Sequence, residues 1–139
     1  MKANIWRAIL SATDMEIIEG MTFYYGANGL CRFAAKIFNS TVEQTAGVYA
    51  ALSPLNGWES NVANMIDVFR YGEEANTNTP KVNKNKALLI AKGRNPLSVL
   101  KGRKVIAFYK GIVNPEDVSN YPIDRHLINL ALGVKITSN

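Results

Sequence analysis

Apolar residues recur at helical spacing along almost the whole chain. Ile5, Trp6, Ile9 and Leu10 open a short stripe, continued by Met15, Ile18, Phe23 and Tyr25 and then by Leu30, Phe33, Ala34, Ile37 and Phe38. Gly20, Gly26 and Gly29 interrupt this stretch and predict a break or bend near residues 26–29. Ser40 with Glu43 reads as a capping box, the reciprocal pairing that opens a helix, here one running to Ala51 or Leu52. Pro54 and Gly57 end it. Glu59 to Arg70 reads as the next helix, with Val62, Met65, Ile66 and Phe69 facing inward. Residues 71–80, YGEEANTNTP, read as a polar, flexible loop.

A short helix is expected over Asn83 to Lys92, with Ala87, Leu88 and Ile90 on its apolar side. Asn95–Pro96 starts another turn, and Leu97 to Leu100 makes about one turn of helix. Arg103 to Ile112 is a clear amphipathic helix with Val105, Phe108, Tyr109 and Ile112 inward, broken by Asn114–Pro115. Pro122 forces an extended approach to Asp124, because a proline disfavours helical backbone in the residue before it. Leu127, Ile128, Leu130, Ala131 and Leu132 follow on a last helix that ends at Gly133. No stretch alternates with the period of a strand. The expected fold is therefore all-α: a compact bundle of short helices, with an N-terminal helical segment over 1–40 packing on a core of 41–139 as one compact unit.

Composition narrows this only in part. A chain of 139 residues with 47% apolar and 19% charged residues has enough material for one buried core and is not of disordered composition. The single cysteine, Cys31, forbids an internal disulfide and a cysteine cluster. No apolar run reaches the roughly 18 residues of a membrane helix, and acids arrive too early at the N-terminus for a signal peptide. A cytoplasmic protein without a membrane role is expected. No P-loop, dinucleotide fingerprint or ligand-spaced His/Cys set is present, so neither cofactor nor metal is expected.

Charge changes the picture more. Between Ala75 and Pro115 there is no Asp or Glu, yet that stretch holds nine of the sixteen basic residues. A segregated cationic block attracts polyanions, whereas mixed charge makes an ordinary solvated face. At its end lies the turn Lys101-Gly102-Arg103-Lys104. A glycine turn feeding a helix start exposes backbone N–H groups and the positive end of the helix dipole, both suited to a phosphate. Twenty residues later comes Asp124. An aspartate just before an apolar helix is a favoured N-cap; the apolar approach through Pro122 and Ile123 would also strip water from a catalytic carboxylate. His126, the only histidine, suits a hydrogen bond in the first turn.

The order of these features resembles the helix-hairpin-helix DNA glycosylase superfamily. There a hairpin of the form L-P-G-V-G-x-K-T-A leads a helix, and a V-D-x-H motif follows about twenty residues later. Leu100, Gly102, Arg103, Lys104 and Val105 look like the second half of that hairpin, with Leu100–Lys101 where the first glycine would stand. Pro122 to His126 looks like the V-D-x-H segment, and Leu132–Gly133 its close. Upstream, Tyr49-Ala50-Ala51-Leu52-Ser53-Pro54 is similar to a helix ending in Leu-Ser-x-Gln, and Asn83 to Ile90 to an Asn-x-Lys-Ala-x-x-Ile segment. The chain also resembles small, often phage-borne proteins that share the Leu-Ser-Pro and Asp-Arg-His elements.

The resemblance implies base-excision chemistry on a nucleotide flipped out of double-stranded DNA. Lys104 matches the Schiff-base nucleophile of members that also cut the strand as lyases, and Asp124 the catalytic carboxylate. Lys101, Gly102, Arg103, Lys84, Lys86 and Arg125 would grip the phosphate backbone. Ser53, Asn56, Trp58 and His126 would lie at the pocket, with Leu55 or Asn56 near the family's pocket Gln. The family's C-terminal helical half is short here, which leaves room for a protein partner or a second copy to complete it. The alternative is a non-catalytic protein that binds DNA, or a host protein, with the fold kept and the chemistry lost.

Overall fold

The structure is a computed structural model that describes residues 1–123 and 125–134, with Arg125 and His126 described by their backbone alone. It is all-α. Helices α1 (Lys2–Ser11), α2 (Asp14–Ile37), α3 (Val42–Leu52), α4 (Trp58–Tyr71), α5 (Lys81–Ala91), α6 (Pro96–Val99), α7 (Arg103–Val113) and α8 (Arg125–Leu132) follow one another, with no strand among the described residues. Two 3-10 turns, Gly72–Glu74 and Val118–Asn120, fill connections.

Helix α3 is the axle. Every residue from Thr45 to Leu52 is buried, as expected of a helix apolar all round, and α2, α4, α5 and α7 pack around it. The Thr45 hydroxyl in that run donates to the Cys31 carbonyl at 2.9 Å, which removes the cost of burying it. Gly47 lets α3 approach α6: a Cβ there would lie 2.8 Å from Pro96 Cγ. Cys31 itself is fully buried, and burial pushes its thiol up to about 12 against the hydrogen bond from Thr45.

Several sequence expectations change in detail. Helix α2 runs unbroken through Gly20, Gly26 and Gly29 for 24 residues, about 36 Å. A glycine inside a helix costs about 1 kcal/mol, and burial of Ala27, Asn28, Cys31, Ala34 and Ala35 in the second half offsets it. Asn28 further ties α2 to α7 by donating to the terminal carbonyl of Ile112 at 2.9 Å. The capping box of α3 is Thr41 with Gln44, one residue later than Ser40 with Glu43; Ser40 instead donates its hydroxyl to Gln44 Oε1 at 2.8 Å. The fully buried side of α4 is Asn61, Asn64, Met65 and Val68; of the expected face Met65 is buried, and Val62 and Phe69 pack half-buried against the core.

The 71–80 connection is pinned rather than free. The Lys84 ammonium donates to the carbonyls of Glu73 at 2.8 Å and Ala75 at 2.6 Å, Lys92 pairs with Glu73 at 2.7 Å, and Asn78 accepts from Asn64 at 2.8 Å. At the other end of the molecule α1 has no buried residue and packs against α8, where Asn4 donates to the Ala131 carbonyl at 3.0 Å. Trp6, Leu10 and Met21 stay exposed there.

Candidate functional site

The turn from α3 to α4 builds one wall of a cavity. Ser53 ends α3 and returns its hydroxyl to the Ala50 carbonyl at 2.8 Å, and Asn56 donates to the Leu52 carbonyl at 2.8 Å. Between them Leu55 takes a left-handed backbone, φ 65°, and is 98% exposed. A non-glycine residue held there costs about 1–2 kcal/mol, and nothing it buries repays that. Gly57 then opens α4 and presents Trp58.

Trp58 meets rings from two other helices, and a third helix adds a ring beyond them. The Trp58 centroid lies 5.5 Å from Phe23 of α2 and 5.6 Å from Tyr49 of α3, and Phe108 of α7 lies 6.0 Å from Tyr49. These are edge and offset arrangements of the kind aromatic quadrupoles favour. Together with Ser53, Leu55, Asn56, Asn61, Lys104 and Pro122 the rings line a cavity of about 530 Å³. Burial pushes the Tyr49 hydroxyl up to about 12, against a lowering by the Asn61 side chain.

Asn61 is 2% exposed. Its Nδ2 donates to the Tyr49 carbonyl at 3.1 Å, while its Oδ1 is buried with no hydrogen-bond partner. Leaving such an acceptor unmet costs about 1–3 kcal/mol.

Against this cavity lies a second, basic concavity of about 670 Å³, lined by Arg103, Lys104, Lys110, Ser119, Asn120 and Tyr121 among others. Residues 103, 107 and 110 share one flank of α7 by helical spacing. The Asp117 carboxylate braces two of the lining residues: it accepts from the Ser119 hydroxyl at 2.6 Å and from Asn120 at 2.6 Å. Those bonds, chiefly from Ser119, hold it below the usual carboxylate range. Lys104 belongs to both cavities. Gly102, φ 87°, turns the chain into α7 with no side-chain cap on the helix. A third, apolar cavity of about 620 Å³ between α1 and α2 is lined by Ile9, Ile17, Met21, Tyr24 and Tyr121 among others.

Of the residues singled out from sequence, Lys104, Ser53, Asn56 and Trp58 come together at one cavity, and Lys101, Gly102 and Arg103 lead into it. Lys84 and Lys86 lie on α5 and line neither the aromatic nor the basic cavity, with Lys84 engaged by carbonyls. Asp124 lies outside the described residues, as do the side chains of Arg125 and His126. Sequence reasoning did not single out Phe23, Tyr49, Asn61, Phe108 or Lys110 as site residues. Asn61 left a trace: it sits at the helical spacing of Met65 and Val68, a polar residue on a buried stripe. Among the described residues no group of His, Cys, Asp and Glu could hold a metal ion, and no helix is long and apolar enough to cross a membrane.

Fold and cavities together define an all-α protein with an aromatic pocket opening beside a cationic groove. The chain belongs to a family of unknown function, DUF7178, whose model matches residues 1–139. No curated protein and no solved structure matches it.

Proposed function

We propose that this chain binds DNA through the basic groove, draws one nucleotide into the aromatic cavity and acts on it as a helix-hairpin-helix glycosylase does, with lyase activity. The observation that carries this reading is the position of Lys104 on the wall shared by the two cavities. A strand whose phosphates lie along Lys101, Arg103 and Lys110 brings its sugar to Lys104 at the mouth of a pocket walled by rings. Stacking on such rings stabilises an unpaired base. Leu55, exposed and strained at the rim, suits a wedge that fills the gap left in the base stack.

In this reading the neutral Lys104 amine attacks C1′ of the flipped nucleotide. The N-glycosidic bond breaks, and the base leaves with the bonding pair and gains a proton. The amine loses its proton and the sugar ring opens, its oxygen taking a proton, to an imine. Removal of a C2′ proton then expels the 3′ phosphate by β-elimination, and water hydrolyses the imine to return the Lys104 amine. The Asp124 carboxylate stabilises the cationic sugar in the transition state.

The test is incubation with duplexes carrying uracil, oxidised, alkylated and abasic sites, with and without borohydride. A covalent adduct on at least one substrate is expected, absent in Lys104→Ala. DNA affinity should fall with salt at a log–log slope of about −3, the value for three to four neutralised phosphates. Tight binding with neither adduct nor base release would leave a DNA-binding protein without the chemistry. Affinity indifferent to salt would remove the groove as well.

A second reading has its own support in the exposed Trp6, Leu10, Met15, Ile18 and Met21 of α1 and α2. An apolar surface of that kind marks a protein-binding face. Capture of a stable protein partner, lost on Leu10→Glu/Met21→Glu substitution, with no affinity for DNA, would favour it.

A further inference from the structure

We propose that the aromatic cavity binds a planar heteroaromatic ring bearing an N–H donor on its edge, and that Asn61 Oδ1 is the acceptor that reads that donor. The ligand class is a lactam nucleobase such as thymine or uracil. This rests on reading the cavity as a base pocket, and it names the residue that selects what enters.

The argument starts from an imbalance. Among the described residues, Asn61 Oδ1 is the one buried side-chain oxygen or nitrogen without a hydrogen-bond partner. Asn28 and Thr45, equally buried, are both engaged with backbone carbonyls. The orientation of the Asn61 amide is fixed, because its nitrogen must face the Tyr49 carbonyl, so the oxygen is left as an acceptor for something else. Asn61 stands in the wall of a cavity whose rings are Phe23, Tyr49, Trp58 and Phe108 and whose rim carries Ser53, Asn56 and Lys104. Flat apolar walls with a few polar groups, one of them a buried acceptor still unmet, are the make-up of a site for a flat ring with a polar edge. The carboxamide is closed to bulk water, so the incoming edge must part the rim. Trp58 and Phe23, at 41% and 38% exposed, are the rings with room to move.

A donor placed against Oδ1 satisfies a group that the empty protein leaves unmet. A ring with a methyl group on that nitrogen offers no donor and puts bulk against the oxygen. Selectivity therefore follows from the acceptor rather than from cavity size.

The test titrates the full chain with thymidine and with N3-methylthymidine, reading the Trp58 indole resonance, assigned by comparison with Trp6→Phe. Thymidine should shift Trp58 and bind at least about tenfold more tightly than its methylated analogue. Asn61→Leu, of similar volume, should bind the two alike. Equal affinity in the natural chain, or no shift with either nucleoside, overturns the proposal; a preference that survives Asn61→Leu removes Asn61 from it. If that variant does not fold, the comparison of nucleosides on the natural chain decides alone. Free nucleosides require neither duplex nor flipping. Failure of DNA binding or base release therefore leaves this selectivity standing, and binding of DNA without nucleoside discrimination sinks it alone.

Discussion

Gly47 shows what a single hydrogen atom decides in this core. A Cβ at that position would meet Pro96 Cγ at 2.8 Å, Pro96 Cβ at 2.9 Å and Ile90 Cγ2 at 3.0 Å, with no flexible side-chain end to give way. Gly29 of α2 is the contrasting case, with nothing within 4 Å of its own Cβ position. Alanine favours a helix over glycine by about 1 kcal/mol at either site. Gly29→Ala should therefore raise stability by about 0.5–1 kcal/mol, and Gly47→Ala should lower it by about 1–3 kcal/mol through overpacking. Urea midpoints at constant slope measure both, and shifts of the same sign would contradict the packing described for α3 and α6. Composition and periodicity cannot separate two such glycines, because the difference lies in a proline about fifty residues away.

Beyond residue 40 helix ends were legible to within one or two residues, and the reason for the residual error is physical. Ser40-Thr41-Val42-Glu43-Gln44 contains two overlapping boxes, Ser40 with Glu43 and Thr41 with Gln44. Local chemistry permits either, and the structure adopts the second, with Glu43 left in solvent and Thr45 to Leu52 buried. Thr41→Ala should cost about 1 kcal/mol and Glu43→Ala almost nothing, read by thermal unfolding; the reverse order would restore the earlier register. The unbroken α2 has the same origin. Its glycines weaken the helix locally, and tertiary burial of Ala27 to Ala35 holds it. The apolar pattern of α4 finds Val62, Met65 and Phe69 but not Asn61 and Asn64, whose burial rests on partners elsewhere: Asn61 donates to a backbone carbonyl and Asn64 to Asn78.

For the whole molecule, the turn-borne parts of the site were visible in sequence and the packed parts were not. Ser53 to Trp58 and Lys101 to Lys104 announce themselves as turns with polar or cationic residues. Phe23, Tyr49 and Phe108 look like ordinary core, and only the meeting of α2, α3 and α7 makes them a cavity. That meeting also sets the response to alkali. Burial raises both Tyr24 and Tyr49 from 10.0 to about 12, with Tyr121 adding to the first. The folded state therefore holds protons that the unfolded chain releases above about pH 10. Their contribution to stability is complete below that pH and is lost as pH rises through about 12. Stability to urea should fall steeply over that window. Tyrosinate absorbance should show these phenols ionising only as helical dichroism collapses; ionisation well before unfolding would mean that the cavity walls are open to water.

Phe23 and Tyr24 are neighbours in sequence on one continuous helix, with ring centroids 5.3 Å apart and planes nearly perpendicular. The first lines the aromatic cavity and the second the apolar cavity beside α1. The two chambers thus share a partition two side chains thick, mounted on a single rod. A guest that tilted either ring would press on the other, and any change in affinity this produced across the pair would be reciprocal, to the same degree.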